Sequence, residues 1–333
     1  MKPEVSIIVA VYNAAETLDQ CLDSLLGQTD GRVQVICVDD CSTDASADIL
    51  KRRAEADDRL LLLRTPQNSG LSVARNVAIP YIKGNWVFTV DADDWISADS
   101  VEKLLVASQA FPTADILLFR LRKVYPDGRE EPFSDWPLYQ TFTGEEAGRL
   151  AVDWKIHGDY ALRPQQLALQ PYDARTRVYS DDVTVREHLL TAQRLVQTDA
   201  VYYFRQHPAS LTHTDGLARL DFIVANTHLR EMLESHTADA TTLSVAEEYI
   251  WRVYVGIQRR LTAMSGSLSP ADRERAEQVL STALQAMRPD RLPKRLRFDP
   301  HHLFLRPYGL LRAYTRLLLW YRHQRGRTYG PRE

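Results

Sequence analysis

An α/β domain built on a mostly parallel sheet, followed by a helical C-terminal region, is the fold predicted by this 333-residue sequence. Three observations lead to it. Continuous apolar, β-branched runs at Val5–Val11, Val33–Val38 and Trp86–Val90 are typical of strands covered on both faces, as parallel strands are. Segments with helical apolar spacing separate those runs, the order that produces βαβ crossovers. Each run also ends in a polar cluster: Asn13, then Asp39-Asp40, then Asp91 through Asp94. Clusters that follow parallel strands converge on the carboxyl edge of the sheet, where open α/β sheets bind their ligands.

After the first strand, Leu18, Cys21, Leu22, Leu25 and Leu26 give helical spacing across Ala15–Gln28. The second strand is followed by Ser42-Thr43-Asp44, residues that cap a helix running to about Ala56. Leu60–Leu63 is a third strand and Leu71–Ala78 a short helix stopped near Pro80. Ser97 and Asp99 precede the helix Val101–Ala110, and Tyr125-Pro126-Asp127-Gly128 is the turn of a hairpin. Residues 130–180 show only short helical pieces among scattered tryptophans and prolines. Helix resumes at Asp182–Leu190, and two strands follow at Arg194–Thr198 and Val201–Arg205. From Asp215 onward the pattern is helical, with Ile250, Val253, Tyr254, Ile257 and Leu261 on one face and a helix start at Ser269-Pro270. The expected division is therefore 1–215 for the α/β domain and 216–333 for the helical region.

Hydrophobic content of 44% and charged content of 26% are those of an ordinary globular protein. The net charge of −3 conceals an asymmetry: residues 288–333 hold 12 Lys/Arg against 3 Asp/Glu, or +9, leaving −12 for the rest. A basic tail behind an acidic body points to an anionic surface as its partner. Within the tail, Leu310, Leu311, Tyr314, Leu317, Leu318 and Tyr321 line one helical side, with Trp320 near its end. That pattern fits an in-plane membrane helix or a face packed on protein. Nucleic acid is disfavoured, since no recognised binding module is present. Three cysteines without a framework pattern, and no signal-peptide pattern at the start, predict a cytoplasmic protein, and the tail leaves peripheral contact at the inner face of the membrane open beside packing on protein.

Asp91-Ala92-Asp93-Asp94 places three carboxylates within four positions at the end of an apolar strand. Their mutual repulsion is relieved by a hard divalent cation such as Mn²⁺ or Mg²⁺, which could in turn hold a diphosphate. Helix capping accounts for one of these acids but poorly for three.

Four segments carry a wider likeness. Val5–Asn13, Val38–Asp44, Asn68–Asn76 and Asp91–Asp94 occur in the order and spacing of the inverting family 2 glycosyltransferases, and the chain resembles that family over roughly residues 3–215. The resemblance implies the Rossmann-like glycosyltransferase A fold and a nucleotide-sugar site drawn from Ala10, Tyr12, Asn13, Asp40, Asn68, Arg75, Asp91 and Ala92. In that reading Tyr12 lies against the nucleobase, Asp40 accepts a hydrogen bond from uracil, Arg75 serves the diphosphate and Asp91 the ribose. A carboxylate facing the ring favours a UDP donor, because uracil offers an N–H there. Asp93 and Asp94 are the implied metal ligands, with His213 as a third.

Tyr179-Ser180-Asp181-Asp182 resembles the family's acceptor-side acidic pair. Asp182 matches the catalytic base, which takes the proton of the acceptor hydroxyl, and Asp181 orients the site. Arg205 is expected to contact the pyrophosphate or anchor the acceptor loop. The implied reaction is transfer of a hexose or N-acetylhexosamine from a UDP-sugar to a surface-glycan or lipid-linked acceptor, with inversion. Without Gln-x-x-Arg-Trp and membrane spans, addition of one or a few sugars is favoured over processive synthesis. A silent nucleotide- or glycan-binding scaffold of the same fold is the alternative. A nucleotidyltransferase or dinucleotide-dependent dehydrogenase is disfavoured, because Tyr12-Asn13-Ala14-Ala15 replaces the glycine-rich loop either would need.

Overall fold

The computed structural model describes residues 2–134, 136–175, 179, 181–206, 217, 219–236, 238–264, 266–297 and 308–324. The chain separates into two compact units, Met1–His213 and Thr214–Glu333.

The first unit is built on a ten-stranded sheet. Strand β1 (Val5–Val11) lies between β2 (Val33–Asp39) and β4 (Trp86–Thr89), parallel to both, and β3 (Leu60–Arg64) continues the parallel set beside β2. Beyond β4 come β9 (Tyr160–Leu162), β6 (Ile116–Val124), β10 (Leu195–Arg205) and β5 (Trp95–Ile96). The long pair β6–β10 is again parallel. Antiparallel pairing is confined to short strands: β5, β9, β7 (Glu130–Ser134) on β6, and β8 (Thr141–Phe142) on β10.

Alternation along β1 explains its continuous apolar run. Val5, Ile7, Val9 and Val11 enter a core shared with helices α1 (Leu18–Leu26), α2 (Ser46–Ala56) and α4 (Ser100–Ala110). Ile8 points the other way, into a core shared with α3 (Leu71–Ala78), α5 (Gly144–Val152), α6 (Pro164–Leu169) and α7 (Asp181–Thr191). Both faces are dry, so Ile8→Ala would cost about 2–5 kcal/mol through lost burial and the cavity left behind.

Three local details depart from the sequence reading. The expected strands at 194–198 and 201–205 are one strand, β10, with its register on β6 shifted between Gln197 and Val201. There the Thr198 hydroxyl donates to Leu118 O at 2.8 Å and accepts from Ala200 N at 3.2 Å, replacing ladder bonds lost at the irregularity. Helix α2 begins at Ser46 behind Ala45, which has no capping side chain, and Asp44 one residue earlier accepts Ser46 N at 3.0 Å. Helix α5 carries a full capping box, Thr143 with Glu146, in the region the sequence left unread.

Helices α5 and α7 approach closely because α5 presents glycines to its neighbour. A Cβ at Gly144 would lie 2.1 Å from Ala192 O, and one at Gly148 2.7 Å from a Leu190 methyl. Neither distance leaves room for a side chain.

The second unit is helical: α8 (Arg219–Ser235), α9 (Ala240–Ala263), α10 (Pro270–Ala286), α11 (Lys294–Arg297) and α12 (Tyr308–Gln324). Ile250, Tyr254, Ile257 and Leu261 of α9 form its core with Leu280 and Leu284 of α10. Asp239 and Ser269 cap α9 and α10 with their side chains. A buried bidentate pair joins Arg230 of α8 to Glu247 of α9 at 3.0 and 3.1 Å. No helix among the described residues is long and apolar enough to cross a membrane.

Candidate active site

The polar clusters meet at the carboxyl ends of β1, β2, β3 and β4. Backbone bonds set their heights: Asp40 N donates to Val11 O at 2.8 Å, Thr65 N to Asp39 O at 3.0 Å, and Val90 N to Ile8 O at 3.0 Å. Past β1 the chain turns through Asn13, whose φ of +51° lies in the left-handed region that asparagine tolerates. The Ser42–Ser46 loop then zips onto this turn. Asn13 N donates to Ser42 Oγ at 3.1 Å, Thr43 N to Asn13 Oδ1 at 2.8 Å, Ala14 N to Ser46 Oγ at 2.9 Å and Ala15 N to Asp44 Oδ2 at 3.0 Å. These bonds consume the Asn13 side-chain oxygen and leave the neighbouring Tyr12 ring 48% exposed at the sheet edge. Ala10, half-buried, sits opposite Val38 in the β1–β2 register.

Asp40, the expected base-facing carboxylate, has several partners within the protein. It is buried, and it accepts hydrogen bonds from Thr65 Oγ1 (2.7 Å), Ser69 N (2.9 and 3.1 Å) and Gly70 N (2.8 Å). Both oxygens therefore hold the loop that carries half-buried Asn68 into α3. Two adjacent backbone N–H groups ahead of a helix are strong carboxylate partners, and they take the lone pairs a nucleobase would need. Asp39, also buried, accepts Ser42 N at 2.9 Å and lies 3.5 Å from Arg64 Nη1, a loop-holding arrangement.

The acidic turn 91–94 is gripped from three sides. Asp94 N donates to Asp91 O at 3.0 Å, Thr17 Oγ1 donates to Ala92 O at 2.9 Å, and Arg205 Nε donates to Asp93 O at 2.7 Å. Asp94 points down into the protein, 1% exposed. Its Oδ1 accepts Arg205 N at 2.8 Å and its Oδ2 accepts the Tyr202 hydroxyl at 2.9 Å. Burial first, then the charges of Asp91 and Asp93, push the Asp94 carboxyl well above the usual carboxylate range, against those two hydrogen bonds. Ligand atoms of Asp91, Asp93 and Asp94 lie within 4.8 Å of one another, a spacing suited to one cation.

Arg75 reaches this cluster from α3. It is buried, and its Nη2 lies 2.7 Å from Asp91 Oδ1. Below it the guanidinium rests over the Tyr172 ring at 5.0 Å, a cation–π contact. Asn76, next to Arg75, clamps Tyr172 by both backbone groups: its Nδ2 donates to Tyr172 O at 2.8 Å and its Oδ1 accepts Tyr172 N at 2.9 Å.

Arg205 is held at the acidic turn by contacts within the protein. Besides Asp93 O it bonds Gln20 Oε1, and its guanidinium lies over the Trp95 ring at 4.8 Å. Trp95 stacks in turn on Tyr203, with centroids 5.3 Å apart. Those contacts tie the end of β10 to the acidic turn, which makes Arg205 an anchor of that turn.

Asp182 sits in the first turn of α7, 8% exposed, with Oδ1 3.5 Å from Arg186 Nη1 one turn on. Arg186 is itself buried and donates to the α5 carbonyls of Ala151 and Val152, both at 3.1 Å. Asp173 N donates to Thr184 Oγ1 at 2.7 Å, so the segment holding Tyr172 also binds α7. That strap joins the helix of Arg75 to the helix of Asp182. Asp181 opens α7, but its side chain, like His213 as a whole, lies outside the described residues.

Sequence reasoning gave no role to Tyr202, Tyr172 or Asn76. A signal existed for the first: an inward-facing strand tyrosine must find a partner for its hydroxyl. For the other two the partners are 96 residues apart in sequence, and no local pattern marks them.

Comparison with known proteins completes the picture. Residues 6–162 match the model of Glycosyl transferase family 2. EpsH of Bacillus subtilis, named as a glycosyltransferase, is 40% identical over 269 residues, 74% of this chain and 76% of EpsH. The poly(ribitol-phosphate) beta-glucosyltransferase of Bacillus spizizenii is 35% identical over 213 residues, 60% of this chain and 32% of that protein. The matched stretch is 76% of the length of EpsH but only 14% of that of the glycosyltransferase GlyA of Streptococcus pneumoniae. In fold, the structure of S. aureus TarS 1-349 in complex with UDP-GlcNAc superposes with a TM-score of 0.74 at 20% identity, covering 98% of this chain and 93% of that one. The carboxyl-edge cluster, the mostly parallel glycosyltransferase A-type sheet and the relationship to EpsH place this chain in glycosyltransferase family 2, as a glycosyltransferase.

Proposed function

We propose that the protein transfers a hexose or N-acetylhexosamine from a UDP-sugar to a hydroxyl of a surface-glycan acceptor, with inversion and with a divalent cation bound. The observation that carries this reading is the gathering of Asp91, Asp93 and Asp94 within 4.8 Å at the carboxyl edge, with Arg75 2.7 Å from Asp91. An all-carboxylate donor set fits Mn²⁺ or Mg²⁺. Asp94 already has both oxygens engaged, so Asp93 and Asp91 would hold the ion while Asp94 supports them from beneath. When bound, the cation supplies positive charge beside the diphosphate.

Arg75 provides the protein's own charge for the leaving diphosphate, its planar fork suited to phosphate oxygens. Tyr12, exposed beside the same edge, offers its ring to the base. Asp40 acts indirectly in this scheme by fixing the Asn68–Gly70 loop. Asp182 takes the proton of the acceptor hydroxyl as that oxygen attacks the anomeric carbon, while the bond to the diphosphate breaks on the opposite side. One displacement inverts the centre and needs no covalent enzyme intermediate.

The UDP donor is supported by the UDP-GlcNAc complex of the TarS fold neighbour. The acceptor class is supported by the poly(ribitol-phosphate) glucosyltransferase among the relatives. A lipid-linked glycan at the inner membrane face is the acceptor we favour. The test is release of UDP, GDP or dTDP from a panel of sugar nucleotides with and without Mn²⁺. Slow, cation-stimulated release confined to UDP-sugars is expected. No release from any donor would favour a silent binding scaffold, and release from GDP- or dTDP-sugars alone would replace the donor assignment.

A further inference from the structure

The sequence offered helix α12 a single apolar side, but the structure divides that side in two. Leu311 and Thr315 turn inward, 1% and 0% exposed, and the Thr315 hydroxyl donates to Gln258 Oε1 of α9 at 2.9 Å. Arg312 pairs with Glu277 of α10. The helix is therefore already docked on its own unit and needs no partner to stay folded there.

Its outer face is a different surface. Leu310, Leu317 and Tyr321 are 51%, 61% and 47% exposed, and their spacing of 7 and 4 residues puts them on one stripe. Trp320, 60% exposed, lies beside it. Four large apolar side chains on one short helix form a patch beyond the scattered exposure normal at a protein surface. Arg316 is exposed at the flank, and Arg322, Arg325, Arg327 and Arg332 follow in sequence with Glu333 as the sole acid after Asp299.

We propose that this outer face of α12 is a docking surface for an anionic lipid bilayer, with Leu310, Leu317, Trp320 and Tyr321 entering the headgroup boundary and Arg316 meeting lipid phosphates. The charge identifies the occupant. An apolar stripe with a basic flank and an indole at its end matches the layered polarity of a membrane interface. A second copy packed face to face would meet this stripe with the same basic charge and no complementary acid on the face. Basic residues near an anionic bilayer are drawn to it by an attraction that salt screens. The proposal does not depend on the identity of the donor, since α12 holds none of the carboxyl-edge residues.

The test is co-sedimentation of the full chain with vesicles of phosphatidylcholine and phosphatidylglycerol, and with vesicles of phosphatidylcholine alone. Binding to the anionic vesicles, weakened by added salt, is expected. The double variant Leu317→Glu/Trp320→Glu should bind at least about tenfold more weakly while keeping its melting temperature and its UDP-sugar turnover, because both side chains are mostly in solvent. Failure of the wild-type chain to bind anionic vesicles overturns the proposal, as does undiminished binding by the variant. Concentration-dependent dimerisation lost in the variant, without vesicle binding, would assign the face to a second copy instead. Sugar transfer can fail while vesicle binding persists, so the two readings stand or fall separately.

Discussion

The Tyr202 hydroxyl joins two members of the acidic turn: it donates to Asp94 Oδ2 at 2.9 Å and accepts Asp91 N at 3.1 Å. One buried oxygen thus fixes both the backbone of the first acid and the side chain of the last. Tyr202→Phe keeps the ring but leaves a part-buried N–H and a buried carboxylate oxygen each short of a partner. That loss should lower stability by about 1–3 kcal/mol. It should also reduce cation-stimulated UDP release, because the turn is less well held. Thermal unfolding and UDP release measured together check this, and an unchanged melting temperature would contradict the bridging role.

Asp93 and Asp94 are adjacent in sequence and opposite in setting, so their variants should fail differently. Asp93→Ala should abolish Mn²⁺-dependent UDP-sugar binding with little loss of stability. Asp94→Ala should lose binding and also melt earlier, since it strands Arg205 N and the Tyr202 hydroxyl. Calorimetric titration of Mn²⁺ with UDP, run beside a melting curve for each variant, separates them. Retained cation-dependent binding in Asp93→Ala would transfer the ligand role to its neighbour.

For the proposed base, Asp182→Asn is the informative change. Donor affinity should persist while transfer to an acceptor falls by about 10²–10⁴-fold, the usual worth of a positioned general base. Preserved transfer would remove Asp182 from that role.

A fourth expectation concerns acid stability. His188 is buried as a neutral imidazole: Nε2–H donates to Gln170 O at 2.7 Å and Nδ1 accepts the Tyr160 hydroxyl at 2.8 Å. Burial pushes its pKa down to about 4 from the ordinary 6.5, with the Gln170 bond opposing weakly. Because the unfolded chain binds this proton first, stability is full above about pH 6.5. It falls as the pH drops from there towards 4, by up to about 3 kcal/mol for this group. His157, pushed to about 4 by burial and by the charges of Lys123 and Arg186, adds a fall in the same window. Melting temperatures of the wild type and His188→Gln between pH 7 and 4 test this, with a shallower decline expected in the variant.

Much of the fold could be read from sequence because its long parallel strands are apolar on both faces. Val5–Val11 and Val33–Val38 had no other plausible reading. Strands β5, β8 and β9 were missed, being two or three residues long and carrying no period. At the site, three acids in four positions marked the turn, but their division of labour depended on distant partners. Tyr202 and Arg205, more than 100 residues away, decide which carboxylate faces inward. The type and place of Asp40 suggest a ligand contact, whereas its bonds to Thr65, Ser69 and Gly70 arise only in the folded loop and leave no local pattern.

The close approach of α5 and α7 bears on how this enzyme could lose its activity. Asp182 has its height and tilt from α7, and α7 rests against Gly144 and Gly148. A single methyl at either glycine would have to displace the helix backbone or the Leu190 side chain. Displacement of the backbone would move the carboxylate without touching any residue that meets substrate. The reach of the proposed proton acceptor is thus governed from the far side of its helix, where two hydrogen atoms stand in place of side chains.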